Sequence, residues 1–483
     1  MAKRGLRKIT SGLGWTFGER ILAQGVTFAV SIILARILSP DEYGLISLVL
    51  VFINLANVFV ENGFGESLIQ KQGTTAEDFS TIFWCTFGFS ITLYLLLFIT
   101  APFIGRFYNN ELVIPVLRVL SLKLLLASVN TIQRAYIAKN MQFKKFFFST
   151  LGGTVVSGVA GVILAHLGAG VWALVAQYLV NSAIGTFILL VTVKWHPQFI
   201  FRKNEAKKLF NYSWKVTGAA FINSLYTETR SLIIGKVYSS ADLAYYNKGN
   251  QFPSLLITNI NTSINTVFFP VMSAMQDNVG ELKQFARRSL KMSSFIIFPI
   301  MAGLIGIAEI LIRVLLTDKW LPSTPFLQIL CVFYATLPLQ SINWQIMKAV
   351  GRSDLCLKLE IIKKTIGFLL IVCTMFISVQ ALAWSTAVFA IISTFINMAP
   401  NKKLVDYSFK EQVADIFPNF LLSVIMGFIV WSLSYLTMLP GICVLIIQIT
   451  TGLIFCLGVS YIFKFESLVI LLTFIKNRKL TRA

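Results

Sequence analysis

The sequence has little charge: only 13% of its 483 residues are Asp, Glu, Lys or Arg, whereas 56% are hydrophobic. That charged share is about half of the share that is usual in soluble proteins, and the mean hydropathy is +0.74. A water-soluble chain of this length could not bury so much apolar surface. The composition therefore excludes a soluble protein and predicts an all-α polytopic membrane protein with the lipid bilayer around it.

The sequence also lacks the usual signatures of catalysis and metal binding. It contains two histidines, and none of its six cysteines shows CxxC spacing, so we expect neither a metal site nor a disulfide framework. The motifs GxxxxGK[ST], HExxH and GxSxG are missing as well. We therefore predict no catalytic residues, no cofactor and no enzymatic activity.

Long apolar runs dominate the chain instead. A bilayer core needs about 20 mainly apolar residues per helix, and fourteen such runs lie between charged or Gly/Pro breaks. They cover residues 13–36, 44–66, 80–104, 114–136, 147–167, 171–193, 210–235, 250–274, 289–316, 324–347, 358–378, 380–399, 416–437 and 441–463. These runs predict fourteen transmembrane spans joined by short loops.

The distribution of Lys and Arg predicts the orientation. Thirty of the 42 lie at the two termini and in or beside every second loop, where Lys358, Lys363 and Lys364 are counted although the eleventh run begins at residue 358. Six lie in or beside the other loops, and six lie deeper inside the runs. Because cytoplasmic loops are enriched in Lys and Arg, both termini are predicted to be cytoplasmic. This topology explains most of the formal net charge of +21, so we expect no nucleic-acid partner.

The sequence of the first six runs is similar to that of the next six. An offset of 200 aligns Ser39 with Ser239, and an offset of 210 aligns Pro115–Leu120 with Pro325–Leu330. Since six is an even number, both halves keep one orientation, which predicts a parallel repeat of two six-helix lobes. We place the lobes at residues 1–200 and 201–405, with two additional helices and a basic tail at 406–483. Chance similarity among apolar segments is the alternative.

Four of the predicted spans carry polar residues at helical spacing along one face. A water-filled cavity is the simplest common target of these stripes, and hydrogen bonding between packed helices is the alternative. The polar residues assigned to the cavity are Gln24 and Thr27 in the first span, Asn54 and Asn57 in the second, Thr227 in the seventh, and Asn261 and Asn265 in the eighth.

Charged residues inside the spans predict the binding site. Each costs about 2.5–3.5 kcal/mol near the bilayer centre, and Arg118 and Lys123 have no acid on their own helix to pair with. We therefore predict that both line a cationic cavity for an anionic substrate. Mutual neutralisation or snorkelling of the side chains is the competing explanation. The further cations assigned to this site are Arg20 and Arg230, and the acids assigned to ion coupling are Glu61 and Glu228.

Several segments resemble one transporter family. The stretch LARILSPDEYG at Leu34–Gly44 resembles the LAR-x-L-x-P-x-EYG junction of bacterial polysaccharide flippases. The segments Gly63–Lys71, Tyr178–Ser182, Phe269–Pro270 and Lys319–Trp320 add to the match. Over roughly residues 5–420 the chain is similar to the Wzx-type (colanic acid and O-antigen) flippases of the MOP superfamily, which also contains the MATE exporters.

The resemblance implies a cargo and a cycle. The cargo would be an undecaprenyl-diphosphate-linked oligosaccharide repeat unit, moved to the outer leaflet of the bacterial inner membrane by alternating access, for surface polysaccharide or lipopolysaccharide biosynthesis. Coupling to H⁺ or Na⁺ is implied too, with a polysaccharide polymerase and a chain-length regulator as partners. A diphosphate and a sugar chain cannot cross hydrocarbon unaided, and a cationic cavity would offset that cost.

Three other functions are weighed against this one. A MATE-like ion-coupled exporter of small cationic compounds should have an acidic cavity, whereas the fourth span is basic. A membrane glycosyltransferase or polymerase usually needs a sizeable outer loop, and the predicted outer loops are short. A scaffold without transport activity would have no use for charges inside its spans.

Overall fold

The chain is described by a computed structural model, which covers residues 2–62, 65, 68, 73–436 and 439–469. All regular secondary structure in these ranges is helical. The α-helices are α1 (Ala2–Ile37), α2 (Pro40–Glu61), α3 (Ala76–Phe107), α4 (Val113–Leu120), α5 (Lys123–Lys139), α6 (Phe143–His166), α7 (Val171–Thr192), α8 (Lys203–Val237), α9 (Ser240–Ala274), α10 (Val279–Leu316), α11 (Thr324–Ala349), α12 (Ser353–Thr374), α13 (Val379–Met398), α14 (Asn401–Val405), α15 (Phe409–Ser432) and α16 (Gly441–Ile462).

Each of the fourteen predicted spans coincides with helical structure. Ten helical segments of the described chain are long and apolar enough to cross a membrane. The other four predicted spans correspond to α1, whose described apolar part is shorter (Ile21–Ile37), and to α8, α9 and α12, which carry more polar and charged residues. The predicted all-α polytopic membrane protein is thus confirmed, and the less apolar helices α8 and α9 carry two of the predicted polar stripes.

The fourth predicted span differs from expectation because it is not one continuous helix. It divides into α4 and α5 at Ser121 and Leu122. The Ser121 hydroxyl donates to the Arg118 carbonyl at 3.0 Å, a local bond that competes with the helical pattern. Arg118 and Lys123 therefore lie on opposite sides of a break in the helix.

Matching caps begin two helices at an interval of 200 residues. At the start of α2, the Glu42 amide donates to the Ser39 hydroxyl at 3.3 Å. At the start of α9, the Asp242 amide donates to the Ser239 hydroxyl at 3.1 Å. Side-chain acceptors of this kind satisfy amides that have no partner within the helix. The shared cap agrees with the predicted repeat at the offset where the sequence places it.

The chain forms two compact units, Met1–Ala244 and Tyr245–Ala483. This division follows packing, whereas the predicted lobe boundary at residue 200 follows the sequence repeat and stays a prediction. In the first unit, α6 and α7 pack closely through small residues. A Cβ on Gly153 would lie only 2.9 Å from the Asn181 carbonyl oxygen, so a glycine is required at this contact.

In the second unit, α15 is held against α10 by a buried ionic cluster. Asp415 on α15 is only 4% exposed and accepts two hydrogen bonds from Arg287, at 2.7 and 2.8 Å. Lys291 lies 3.2 Å from the same carboxylate, and the Tyr407 hydroxyl donates to it at 2.9 Å. Three of these four polar contacts come from α10, so they fix α15, the first of the two additional helices, to α10.

Candidate transport site

In the first unit, α2 and α8 bring together two predicted site residues. The Asn54 Nδ2 group donates to the Glu228 Oε1 atom at 3.2 Å, although the residues are 174 positions apart. Further along the same contact, the ring centroids of Phe59 and Phe221 are 4.9 Å apart. The predicted stripes on these two helices therefore face each other, and the carboxylate predicted for ion coupling is hydrogen-bonded within this contact.

Arg230 is the most deeply buried of the predicted cations whose side chains are described. It lies on α8, two residues beyond Glu228, and is 8% exposed. Its Nε and Nη2 atoms are buried and donate no hydrogen bond to any described residue. Burying guanidinium nitrogen atoms without hydrogen-bond acceptors is costly, so the surroundings of Arg230 differ from those of a paired structural arginine.

Lys123 lies at the start of α5 among aromatic and charged neighbours. Its Nζ atom is 5.5 Å from the centroid of the Tyr178 ring on α7. Glu61 at the end of α2 and Arg134 on α5 are the charged groups that act on it. The predicted cation and one predicted coupling acid are thus neighbours, without a direct ion pair between them in the described structure.

Arg118 has a local structural role that the sequence did not reveal. Its Nε atom donates to the Phe98 carbonyl oxygen at 3.2 Å, and its guanidinium lies 4.3 Å from the centroid of the Phe98 ring. Phe98 is four residues before Pro102 in α3, and proline has no N–H to give to that carbonyl. Arg118 replaces the missing helical bond, and no described contact joins it to Lys123.

In the second unit, the predicted stripe on α9 faces α11. The Ser341 hydroxyl donates to Asn261 Oδ1 at 2.6 Å, and Gln345 Nε2 donates to Asn265 Oδ1 at 2.9 Å. Both asparagines therefore bond to a neighbouring helix, as the packing alternative expects. Asn265 also lines a cleft of about 440 Å³ on this side of the helix pair.

The remaining predicted site residues, on α1, α2 and α8, differ in their surroundings. Asn57 has a buried Oδ1 atom that accepts no hydrogen bond from the described chain. Thr227 donates to the Asn223 carbonyl on its own helix at 2.9 Å. Thr27 is exposed and Gln24 is half-buried on α1. The side chain of Arg20 lies outside the described residues, as does most of the Gly63–Lys71 segment.

Two cavities were missed by sequence reasoning. The cleft beside Asn265 is lined by Lys363, which the charge count had assigned to a cytoplasmic loop although α12 contains it. An apolar cavity of about 410 Å³ lies between α9, α10, α15 and α16. The i,i+3 spacing of Glu360 and Lys363 within a predicted span was the available signal for the first cavity, and we find no sequence signal for the second.

Metal binding has no visible basis in the part of the chain that the structure covers. No three His, Cys, Asp or Glu side chains gather there at distances that would hold an ion. The charged groups described above are instead cations and isolated carboxylates, which suit binding of an anion and exchange of a proton.

Sequence comparisons give relatives along most of the chain. Residues 33–325 match the family of polysaccharide biosynthesis proteins. The teichuronic acid biosynthesis protein TuaB of Bacillus subtilis (strain 168) is 24% identical over 438 residues, which cover 89% of this chain and 90% of that protein. The lipopolysaccharide biosynthesis protein WzxC of Escherichia coli (strain K12) is 24% identical over 358 residues, covering 74% and 73%.

Solved structures share the fold. The lipid II flippase MurJ, in an inward closed conformation, superposes with a TM-score of 0.74 at 17% identity, covering 94% of this chain and 98% of that one. An inward-facing multidrug resistance MATE family transporter of the MOP superfamily gives a TM-score of 0.61 at 12% identity, covering 79% and 94%. The predicted MOP-type fold is confirmed by these likenesses.

Proposed function

Because the chain belongs to the family of polysaccharide biosynthesis proteins, we propose that it is a flippase for undecaprenyl-diphosphate-linked oligosaccharide repeat units. It moves them across the bacterial inner membrane by alternating access and supplies surface polysaccharide biosynthesis. Both termini lie in the cytoplasm, and a polysaccharide polymerase and a chain-length regulator act on the cargo afterwards.

The observation that carries the proposal is the Arg230 guanidinium. Two of its nitrogen atoms are buried without an acceptor in the described chain. A diphosphate offers several charged oxygen acceptors, and hydrogen bonds between ionised groups are stronger than neutral ones. Bound phosphate would therefore satisfy Arg230, and Lys123 adds a second positive charge in the same unit.

The apolar part of the cargo is assigned to the apolar cavity of the second unit. The cavity between α10, α15 and α16 is lined by side chains such as Phe295, Ile300 and Leu453. An isoprenoid chain buries apolar surface favourably against such side chains.

Coupling is assigned to Glu228 and Glu61. Glu228 exchanges a proton or a sodium ion during the cycle, while Asn54 holds its carboxylate in position at 3.2 Å. One charge that moves through 100 mV yields about 2.3 kcal/mol, which is enough to bias a conformational transition.

A deletion strain tests the proposal. We expect lipid-linked repeat units to accumulate on the cytoplasmic leaflet without the protein, and the wild-type gene to clear them while Arg230→Gln does not. Arg106→Gln, an exposed cation at the end of α3, is the control. If repeat units reach the outer leaflet without the protein, the proposal is wrong, and export of small molecules becomes the leading function.

A further inference from the structure

The segment between α7 and α8 carries an exposed aromatic patch. We call this segment, residues 193–202, the connector. Phe199 is 93% exposed and Phe201 is 58% exposed. Apolar side chains gain free energy when they leave water, so two neighbouring exposed phenylalanines favour contact with an apolar partner outside the polypeptide.

The connector is held in one conformation by hydrogen bonds to the first turns of α3. The Gln198 amide donates to the Ser80 hydroxyl at 3.1 Å, and the Trp84 indole donates to the Gln198 carbonyl at 2.8 Å. The Arg202 amide donates to the Thr81 hydroxyl at 3.2 Å. Because Ser80 and Thr81 are adjacent residues, the stretch from Gln198 to Arg202 forms a compact loop. The aromatic patch is therefore fixed to α3.

The aromatic patch continues a lipid-facing surface of α3. The Phe199 ring stacks on Trp84, with 5.1 Å between the ring centroids and 25° between the planes. Ile91 and Leu95, which follow Trp84 on the same face of α3, are exposed as well. Since α3 is long and apolar enough to cross a membrane, this face meets lipid. Phe199 lies at the end of that face where the predicted span 80–104 begins.

Basic residues accompany the aromatic patch. Residues 193–208 contain five Lys or Arg and one Glu. Arg202 pairs with Glu77 on α3, which leaves an excess of three positive charges. Three of the basic side chains are exposed: Lys194, Lys203 and Lys207. Clusters of this kind next to a membrane span attract anionic lipid head groups. Membrane topology alone would explain the charge, but it does not explain the exposed phenylalanines beside it.

We propose that the connector is a membrane-surface anchor that binds an anionic phospholipid. Phe199 and Phe201 insert at the boundary between head groups and acyl chains, where aromatic side chains are favoured. The neighbouring lysines contact the phosphate of the head group, and the two contributions add. Since the connector leads directly into α8, this contact fixes the level in the membrane at which α8 begins.

Photo-crosslinking of the full-length protein in liposomes tests the proposal. Phe199 is replaced by p-benzoylphenylalanine (Phe199→Bpa), in equal amounts of anionic dioleoylphosphatidylglycerol and zwitterionic dioleoylphosphatidylcholine. Both lipids have the same acyl chains, so the ratio of their adducts in mass spectrometry measures the preference for a head group. We expect lipid adducts at residue 199 with phosphatidylglycerol enriched about 5-fold, the preference given by one basic side chain near an anionic surface.

Matched variants connect the preference to the connector. Phe428→Bpa is the control for ordinary lipid contact, because Phe428 is exposed on α15 and residues 416–463 contain no charged residue. Its adducts should follow the bulk ratio of the lipids. In the Phe199→Bpa protein, Lys194→Gln with Lys203→Gln should keep the lipid adducts and lose the enrichment. Lys402→Gln, at an exposed lysine on α14, should keep both.

Two sets of results would overturn the proposal. Residue 199 without lipid adducts, or linked to protein instead, would show that the aromatic patch does not enter the membrane. Lipid adducts in the bulk ratio, or an enrichment that survives the loss of both lysines, would show that the connector does not bind an anionic head group.

The outcome is separable from that of the flippase proposal because neither cargo nor transport is measured. Enriched adducts that depend on the two lysines support the anchor even if the deletion strain clears its repeat units. Restored clearance by the wild type, with adducts in the bulk ratio, supports the flippase and overturns the anchor.

Discussion

Arg230 in the first unit and Asp415 in the second are both buried charges, but they differ in the number of hydrogen-bond partners that surround them. Asp415 has Arg287, Lys291 and Tyr407 around its carboxylate. Arg230 has two buried nitrogen atoms that meet no acceptor in the described structure. A charge with a full set of partners holds helices together, whereas we propose that the charge without partners serves the cargo. Function and stability should therefore respond to different substitutions.

The largest effect on transport is expected for Arg230→Gln. Loss of a hydrogen bond to a charged group costs about 1.5–3 kcal/mol, which corresponds to about a 10- to 100-fold lower rate when the contact forms with the moving cargo. Melting temperature should equal or exceed the wild-type value, because the substitution removes a buried charge whose Nε and Nη2 atoms donate to nothing in the described chain. The transport rate per folded molecule measures the effect on function, and thermal unfolding measures the effect on stability.

The converse effect is expected for Asp415→Asn. Removing one partner from a buried ionic cluster costs about 3–5 kcal/mol of stability, so α15 should dock less firmly on α10. The molecules that do fold should transport at the wild-type rate. Asp406→Asn is the matched control, since that side chain is 85% exposed and 3.8 Å from Lys283. An undisturbed melting temperature in Asp415→Asn would contradict the comparison.

Arg118 tests the same distinction between a charge that serves the cargo and a charge that stabilises the fold. The sequence predicts that it lines the cargo site, whereas in the structure it donates a hydrogen bond to the Phe98 carbonyl. We expect Arg118→Ala to cost about 1–3 kcal/mol of stability, because it leaves the Phe98 carbonyl without a donor. In a Pro102→Ala background the restored N–H should satisfy that carbonyl. The cost should then fall to the cation–π contribution, about 0.5–1 kcal/mol.

A double-mutant cycle on purified protein measures this coupling. Equal losses of stability in the wild-type and Pro102→Ala backgrounds would show that Arg118 does not act through the Phe98 carbonyl. A large loss of transport without any loss of stability would instead support the sequence-based prediction that Arg118 lines the cargo site.

A smaller effect is expected for Glu228→Gln. The glutamine keeps an oxygen for the Asn54 amide but cannot exchange a proton. Transport should continue and lose its dependence on pH. Glu309→Gln is the control, because that exposed carboxylate pairs with Arg313 at 3.1 Å. The coupling assignment fails if Glu228→Gln and Glu61→Gln both retain the pH profile of the wild type.

The smallest effect is expected for the exposed ion pair between Arg352 and Asp354 at the start of α12. The Arg352 guanidinium donates to Asp354 at 2.7 and 2.8 Å and lowers the pKa of that carboxyl to about 2. The pKa of Asp354 is lower in the folded state than in the unfolded state. The contribution of this carboxyl to the free energy of unfolding is therefore present above about pH 4 and is lost as the pH falls towards 2. Asp354→Asn should leave transport and melting temperature unchanged at neutral pH, because exposed pairs contribute little.

The sequence predicted the helices well because the length of an apolar run is a local property. The predicted spans follow apolar runs alone, so the eighth begins at residue 250 although α9 begins at Ser240, where Ser239 caps it. The break at Ser121 was missed, since a serine bond to the backbone leaves no periodic signal in the sequence.

The site was harder to predict because it depends on contacts between distant segments. Asn54 and Glu228 were named from helical spacing, but their mutual bond joins residues 174 positions apart. Arg118 looked unpaired because its acceptor is a backbone carbonyl freed by Pro102, which a search for acidic partners cannot find. Lys363 was counted as a loop residue because its burial depends on Trp344 and Glu360.

The most direct test of the central claim is flipping by purified protein in proteoliposomes. A fluorescent undecaprenyl-diphosphate oligosaccharide is placed in one leaflet, and its appearance in the other is followed with a membrane-impermeant quencher. We predict that the wild type and Arg106→Gln equalise the leaflets, while Arg230→Gln is slower by about 10- to 100-fold. Equal rates for Arg230→Gln and the wild type would contradict the claim that this unpartnered cation serves the cargo.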